Sequence, residues 1–93
     1  MKISRRLRIH GLVQGVFFRE SMRQRAVEVN VTGWVRNRHD GSVEALVQGE
    51  SFEVELLVDW ARRGPDAARV DRIDIESADD EGDHRFFDKK PSA

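Results

Sequence analysis

Apolar and polar residues alternate from Arg6 to His10, where Leu7 and Ile9 sit between Arg6, Arg8 and His10. This period of two marks a strand with one buried face and turns His10 outward as a surface residue. The rhythm then changes: Phe18, Met22, Ala26 and Val29 recur at i, i+4, i+8 and i+11, the stripe of an amphipathic helix from about Arg19 to Val29. Asn30 follows where a helix needs a left-handed closing residue, which asparagine tolerates. Alternation returns in Val31 to Asn37 and Ser42 to Gln48, on either side of Asp40-Gly41. Asx-Gly between alternating segments predicts a tight hairpin turn whose two positions both tolerate positive φ. In its second strand Val43, Ala45 and Val47 are expected to pack, while Glu44, Leu46 and Gln48 form a mostly wet face. Trp34 falls on the face opposite Val35 and is read as a structural platform over the sheet.

Ser51 is placed to cap a second helix running to Arg63, with Val54, Leu57, Val58 and Ala61 as its packed stripe and Leu56 and Trp60 beside it. Gly64-Pro65 stops that helix, and Arg62 and Arg63 favour its C-terminal end. Ile73 and Ile75 share a face while Val70 is out of phase, so a bulge or a late strand start is expected after Ala68. Strand, helix, strand, strand, helix, strand with two crossovers gives the βαββαβ order of an α+β, ferredoxin-like sandwich: an antiparallel sheet with two helices on one face. Such a fold does not set function. RNA-recognition modules share it but display aromatic residues on central strands, whereas Phe17 and Phe18 fall in a loop and a helix start.

With 93 residues and 39% apolar content, the chain is expected to form one domain over residues 1–93, its core about 5–77, with both helices covering a single sheet. The lack of cysteine removes disulfides and thiolate metal sites together. Met1 to His10 builds no apolar stretch like that of an export signal, and no run reaches membrane length, so a cytoplasmic location is the expectation. The net charge of −1 is unevenly spread, with nine Lys/Arg against four Asp/Glu in residues 1–46 and seven against thirteen in 47–93. The basic half suits a small anionic substrate, although it also reads as uneven solvated surface. This balance makes duplex nucleic acid a poor partner. Asp79 to Asp83 places four carboxylates in five residues but lacks EF-hand spacing, so it is read as a solvated loop and no metal is expected.

The segment with the most chemistry is Gly11-Leu-Val-Gln-Gly-Val-Phe-Phe-Arg19, between the first strand and the first helix. Gly11 and Gly15 can take positive φ and let N–H groups converge on an oxyanion, and a helix N-terminus adds unpaired donors. Arg19 falls in the first turn, where a cation opposes the helix dipole, a placement that a bound anion explains. The plainer alternative is an ordinary glycine-containing loop.

The Gly-x-x-Gln-Gly-Val-x-Phe-Arg loop and the hairpin Gly33-Trp-Val-Arg-Asn37 with Gly41, Val43 and Gly49 together resemble the acylphosphatase family, over about Arg5 to Ser77. The resemblance implies that Arg19 binds a phosphoryl group and Asn37 orients the attacking water. The backbone of Leu12, Val13, Gln14, Gly15, Val16, Phe17 and Phe18 would form the phosphate loop. Arg38, where many relatives carry a small hydroxyl residue or leucine, and the tail from His84 to Lys90 depart from the pattern. The tail resembles a last short strand only loosely. The implied activity is hydrolysis of a carboxyl–phosphate bond, whose carboxylate leaves without an enzyme acid. Neither a cofactor nor a metal is called for, because positioning and electrostatics suffice. The expected partners are a small acyl phosphate and inorganic phosphate, acting on a monomer with no nucleic acid and no membrane. The rival reading is a non-catalytic module that binds phosphate or another anion for regulation, which would have no use for an amide aimed at water.

Overall fold

The computed structural model describes residues 1–79 and 82–93. Within them the chain runs β1 (Lys2–Leu12), α1 (Phe18–Glu28), β2 (Thr32–Asn37), β3 (Val43–Glu50), α2 (Ser51–Ala61), β4 (Arg69–Ser77) and β5 (Phe87–Lys89). The strands lie side by side in the order β4-β1-β3-β2-β5. Pairing among β1 to β4 is antiparallel, as the alternation requires, whereas β5 from the tail joins β2 in parallel and makes the sheet mixed. Both helices pack on one face, over a core that includes Leu7, Ile9, Val35, Ala45, Val47, Phe18, Met22, Val54 and Leu57. The stripes expected of the helices are the buried ones, and Phe18 meets Trp60 with ring centroids 5.4 Å apart. Asn30 closes α1 with φ 62°.

The register of β1 against β4 slips between His10 and Gly11, so Asp71 is the extra residue of a bulge beside Val70. Gly11 serves this bulge. Its φ is 133°, and a Cβ there would run into the carbonyl oxygen of Arg69, so the residue allows two backbones to meet instead of contributing to an anion cradle.

Expectations for the hairpin turn, both ends of the second helix and the outer face of β3 are corrected. The hairpin is closed by five residues, with Arg38 N–H donating to the Ser42 carbonyl at 2.8 Å and Gly41 N–H to the Arg38 carbonyl at 3.1 Å. Of the two turn positions only Gly41 has positive φ, because Asp40 Oδ1 accepts from Ser42 N at 2.9 Å and Ser42 Oγ at 2.6 Å, a side-chain closure that replaces a two-residue turn. Ser51 does not cap α2. It is the first helical residue, after an extended Glu50 that makes no side-chain cap, and the helix ends at Ala61 with Arg62 and Arg63 beyond it.

The outer face of β3 is dry. Glu44, Leu46 and Gln48 are 3%, 0% and 1% exposed, because β3 is flanked by β1 and β2 and the segment after β4 crosses over it. Ala78 joins Trp34 and Leu46 in a second apolar cluster, Gln48 donates to the Gly82 carbonyl, and His84 N–H donates to Gln48 Oε1. Glu44 is roofed by arginines: Arg36 Nε lies 2.8 Å and Arg38 Nη1 3.3 Å from one oxygen, with Arg8 Nη2 3.7 Å from the other. Burial pushes its carboxyl up, but the Arg36 hydrogen bond and the charges of Arg36, Arg38 and Arg8 outweigh burial and hold it below the ordinary value.

Candidate active site

Between the end of β1 and the start of α1 the chain makes a short loop pinned by two inward side chains, Val13 and Phe18, which are 1% and 2% exposed. Gly15 bridges them with φ 74°. Phe17, at the N-cap of α1, is also left-handed at φ 62°, and its side chain does not cap the helix. For a bulky residue this conformation costs about 1–2 kcal/mol. The neighbouring phenylalanines thus diverge, Phe18 into the core and Phe17 outward at 81% exposure. The leading N–H groups of α1 face the loop with no side-chain cap, a geometry suited to an anion.

Arg19 is half-buried in the first turn, and its guanidinium makes no hydrogen bond or ion pair with any described residue. The adjacent Glu20 would be the obvious partner but is taken: Arg23 grips it at 3.0 and 2.7 Å, Gln24 reaches it at 3.0 Å and Lys89 Nζ lies 3.0 Å away. Hydrogen bonds from Arg23, Lys89 and Gln24 hold the Glu20 carboxyl far below the usual carboxylate range. It therefore stays ionised and balances the dipole and two cations, while Arg19 keeps an uncommitted charge.

Asn37 arrives from the other side, at the last position of β2. Its Oδ1 is buried and has no hydrogen-bond partner among the described residues. An orphaned buried acceptor costs about 1–3 kcal/mol; a water or ligand donor would satisfy it. Val13, Gly15, Phe17, Phe18, Arg19 and Asn37 line one pocket of about 260 Å³, together with Glu20 and Lys89.

The other loop residues singled out from the sequence have different places. Leu12 is still in β1, paired with Arg69, and Val16 leans on the apolar core. Gln14 sends its side-chain amide to the carbonyls of Arg38 and Ser42, at 2.7 and 2.9 Å. Arg38 itself turns to Glu44, away from the pocket, and His10 pairs with Asp74 at 3.1 Å on the sheet's other face. Lys89 was not anticipated, since it comes from the loosely matching tail and reaches the pocket only because β5 docks beside β2. A larger groove of about 610 Å³ includes Val27, Phe86 and Lys89 but neither Arg19 nor Asn37.

The acylphosphatase family model matches residues 5–89. An acylphosphatase of Acidovorax sp. (strain JS42) is 57% identical over 76 residues, 82% of this chain and 78% of that protein. One from Thiobacillus denitrificans is 54% identical over 84 residues, 90% of this chain and 92% of its own. The solved structure of an acylphosphatase from Coxiella burnetii superimposes with a TM-score of 0.90 at 36% identity, covering 96% of this chain and 93% of that one. A pocket with a free arginine at a helix N-terminus and an unpaired, buried amide oxygen thus lies in a chain that, by sequence and by fold, belongs to the acylphosphatase family.

Proposed function

We propose that this chain hydrolyses acyl phosphates with Arg19 and the 13–18 loop as the phosphoryl seat and Asn37 as the residue that orients water. Acyl phosphate hydrolysis is the activity of the family; the assignment of these residues to its steps is our reading. The observation that carries it is the buried, unpartnered Asn37 Oδ1 in the same pocket as the uncommitted guanidinium of Arg19.

In this mechanism the phosphoryl oxygens lie against the N–H groups of the loop and the first turn, with Arg19 forking two of them. Water donates one hydrogen to Asn37 Oδ1, which aligns its lone pair with phosphorus, opposite the departing carboxylate. Charge growing on the equatorial oxygens meets fixed donors that need no reorganisation. An amide cannot take the proton, so the proton passes to the phosphate or to solvent. The carboxylate, a weak base, leaves unprotonated.

The test is Asn37→Ala in protein shown to be folded, assayed with acetyl phosphate. The kcat is expected to fall about a hundredfold while KM and inhibition by inorganic phosphate hold, the pattern of an interaction made in the transition state. Full turnover would overturn the water-orienting role and favour a binding module.

A further inference from the structure

Phe17 is the one described non-glycine residue besides Asn30 with positive φ, and its 81% exposed ring lines the rim of the Arg19–Asn37 pocket. Neither property helps the fold. A left-handed phenylalanine is strained, and an exposed ring stays in water, so local stability alone would favour glycine or asparagine here. Strain kept beside a ligand pocket, with an apolar side chain presented to solvent, points to a group that the ring meets.

Its place in the pocket narrows what that group is. With the phosphoryl seated against the loop and Arg19, the rest of the substrate leaves through the rim, where Phe17 stands. The pocket's other charged side chains, Glu20 and Lys89, are paired at 3.0 Å, and Arg23 holds Glu20 as well. The apolar surface offered there to a ring or chain on the acyl part is the open face of Phe17.

We propose that Phe17 is the acyl-group subsite, and that it favours acyl phosphates whose acyl part presents an apolar face to its ring, aromatic ones above all. This rests on the phosphoryl seat proposed above. The experiment measures kcat/KM for benzoyl phosphate and for acetyl phosphate in the parent protein, Phe17→Gly, Phe17→Asn and Phe17→Tyr. Because the ratio of the two substrates is taken within each protein, changes in the shared phosphoryl seat or in folded fraction cancel. The benzoyl-to-acetyl ratio should fall roughly fivefold in Phe17→Gly and Phe17→Asn, both of which accept the left-handed backbone, and should be kept in Phe17→Tyr. A ratio within about twofold of the parent in both the Gly and Asn variants would overturn the subsite. The seat is read separately, from phosphate inhibition in Arg19→Ala: inhibition that persists there overturns the seat, and the subsite with it.

Discussion

Gln14 Nε2 lies 2.7 Å from the carbonyl oxygen of Arg38, the residue that follows Asn37, and 2.9 Å from that of Ser42. One amide therefore fastens the loop ahead of Arg19 to the loop beyond Asn37, and the spacing between the proposed phosphoryl seat and the water-orienting amide depends on it. Gln14→Leu keeps the volume but removes both donors. We expect kcat to fall about tenfold, because small displacements of positioned groups are costly in rate, with a loss of about 1–3 kcal/mol in stability. Steady-state kinetics and thermal melts check this; an unchanged kcat in a destabilised protein would reduce Gln14 to a purely structural clip.

Inorganic phosphate should raise the melting temperature, since a ligand that binds only the folded state stabilises it by mass action. Arg19→Ala should abolish most of that rise, raise KM and lower kcat/KM by several kcal/mol in activation free energy, with a part of the loss in kcat, because the guanidinium holds the phosphoryl in the ground state and grips it harder as charge grows on the equatorial oxygens. Arg19→Lys keeps the charge but not the fork and should recover only part of the loss.

Gly15→Ala probes the loop backbone. A Cβ at this position would touch nothing within 4 Å, so the cost is conformational, about 1–2 kcal/mol for a left-handed alanine. Melting should drop accordingly and the phosphate-induced rise should shrink. A full rise in the folded variant would place the anion elsewhere.

Acid sensitivity follows from four carboxylates. Glu20, Asp40, Glu44 and Asp74 are all held below their ordinary values, mainly by hydrogen bonds from Arg23, Ser42, Arg36 and Arg72 respectively, in Glu44 against an opposing effect of burial. Each binds its proton more readily when unfolded, so each contributes stability above its ordinary pKa that is lost as pH falls through the lowered one. Melting temperature should decline progressively below about pH 5. Glu44→Gln should cost about 2 kcal/mol at neutral pH, by weakening a charge-assisted bond and leaving the arginines over a neutral amide. It should also flatten the acid limb of the melting profile, and an unaltered limb would show that Glu44 is not among the groups that set it.

The parts of this molecule written in local spacing were legible from the sequence. The stripe from Phe18 to Val29, Asn30 as a helix-closing residue and the phase error at Val70 each follow from backbone periodicity, and Arg19 in a first turn drew attention because it opposes the dipole. What was hidden depends on distant segments. Alternation assigns Glu44, Leu46 and Gln48 to a common face, yet whether that face is dry depends on residues such as Ala78, Gly82 and His84 crossing over it. Lys89 reaches the pocket only through the parallel docking of β5. Loop spacing marks Gln14 for its backbone, while its side chain spans 24 positions to Arg38. Gly11 is the opposite case: the sequence shows its freedom but not its use, which is the close approach of the neighbouring strand at Arg69.

The place of β1 between β3 and β4 has a kinetic consequence. Its ladder joins Lys2 to Glu50 and Arg5 to Ser77, so each of its pairings closes a long loop before any contact rewards the lost chain entropy, while β2 and β3 meet across a short turn. The hairpin carrying Asn37 can form early and alone. The strand that leads into the loop before Arg19 must wait for partners far down the chain, which slows folding relative to topologies built from local contacts. During synthesis β1 waits for β3 as its first strand neighbour, then for α2 to cover the face of Leu7 and Ile9, and last for β4 on its other edge. Assembly of the pocket is thus a late event, and any variant that slows docking of β1 would delay the appearance of activity by as much as it delays the fold.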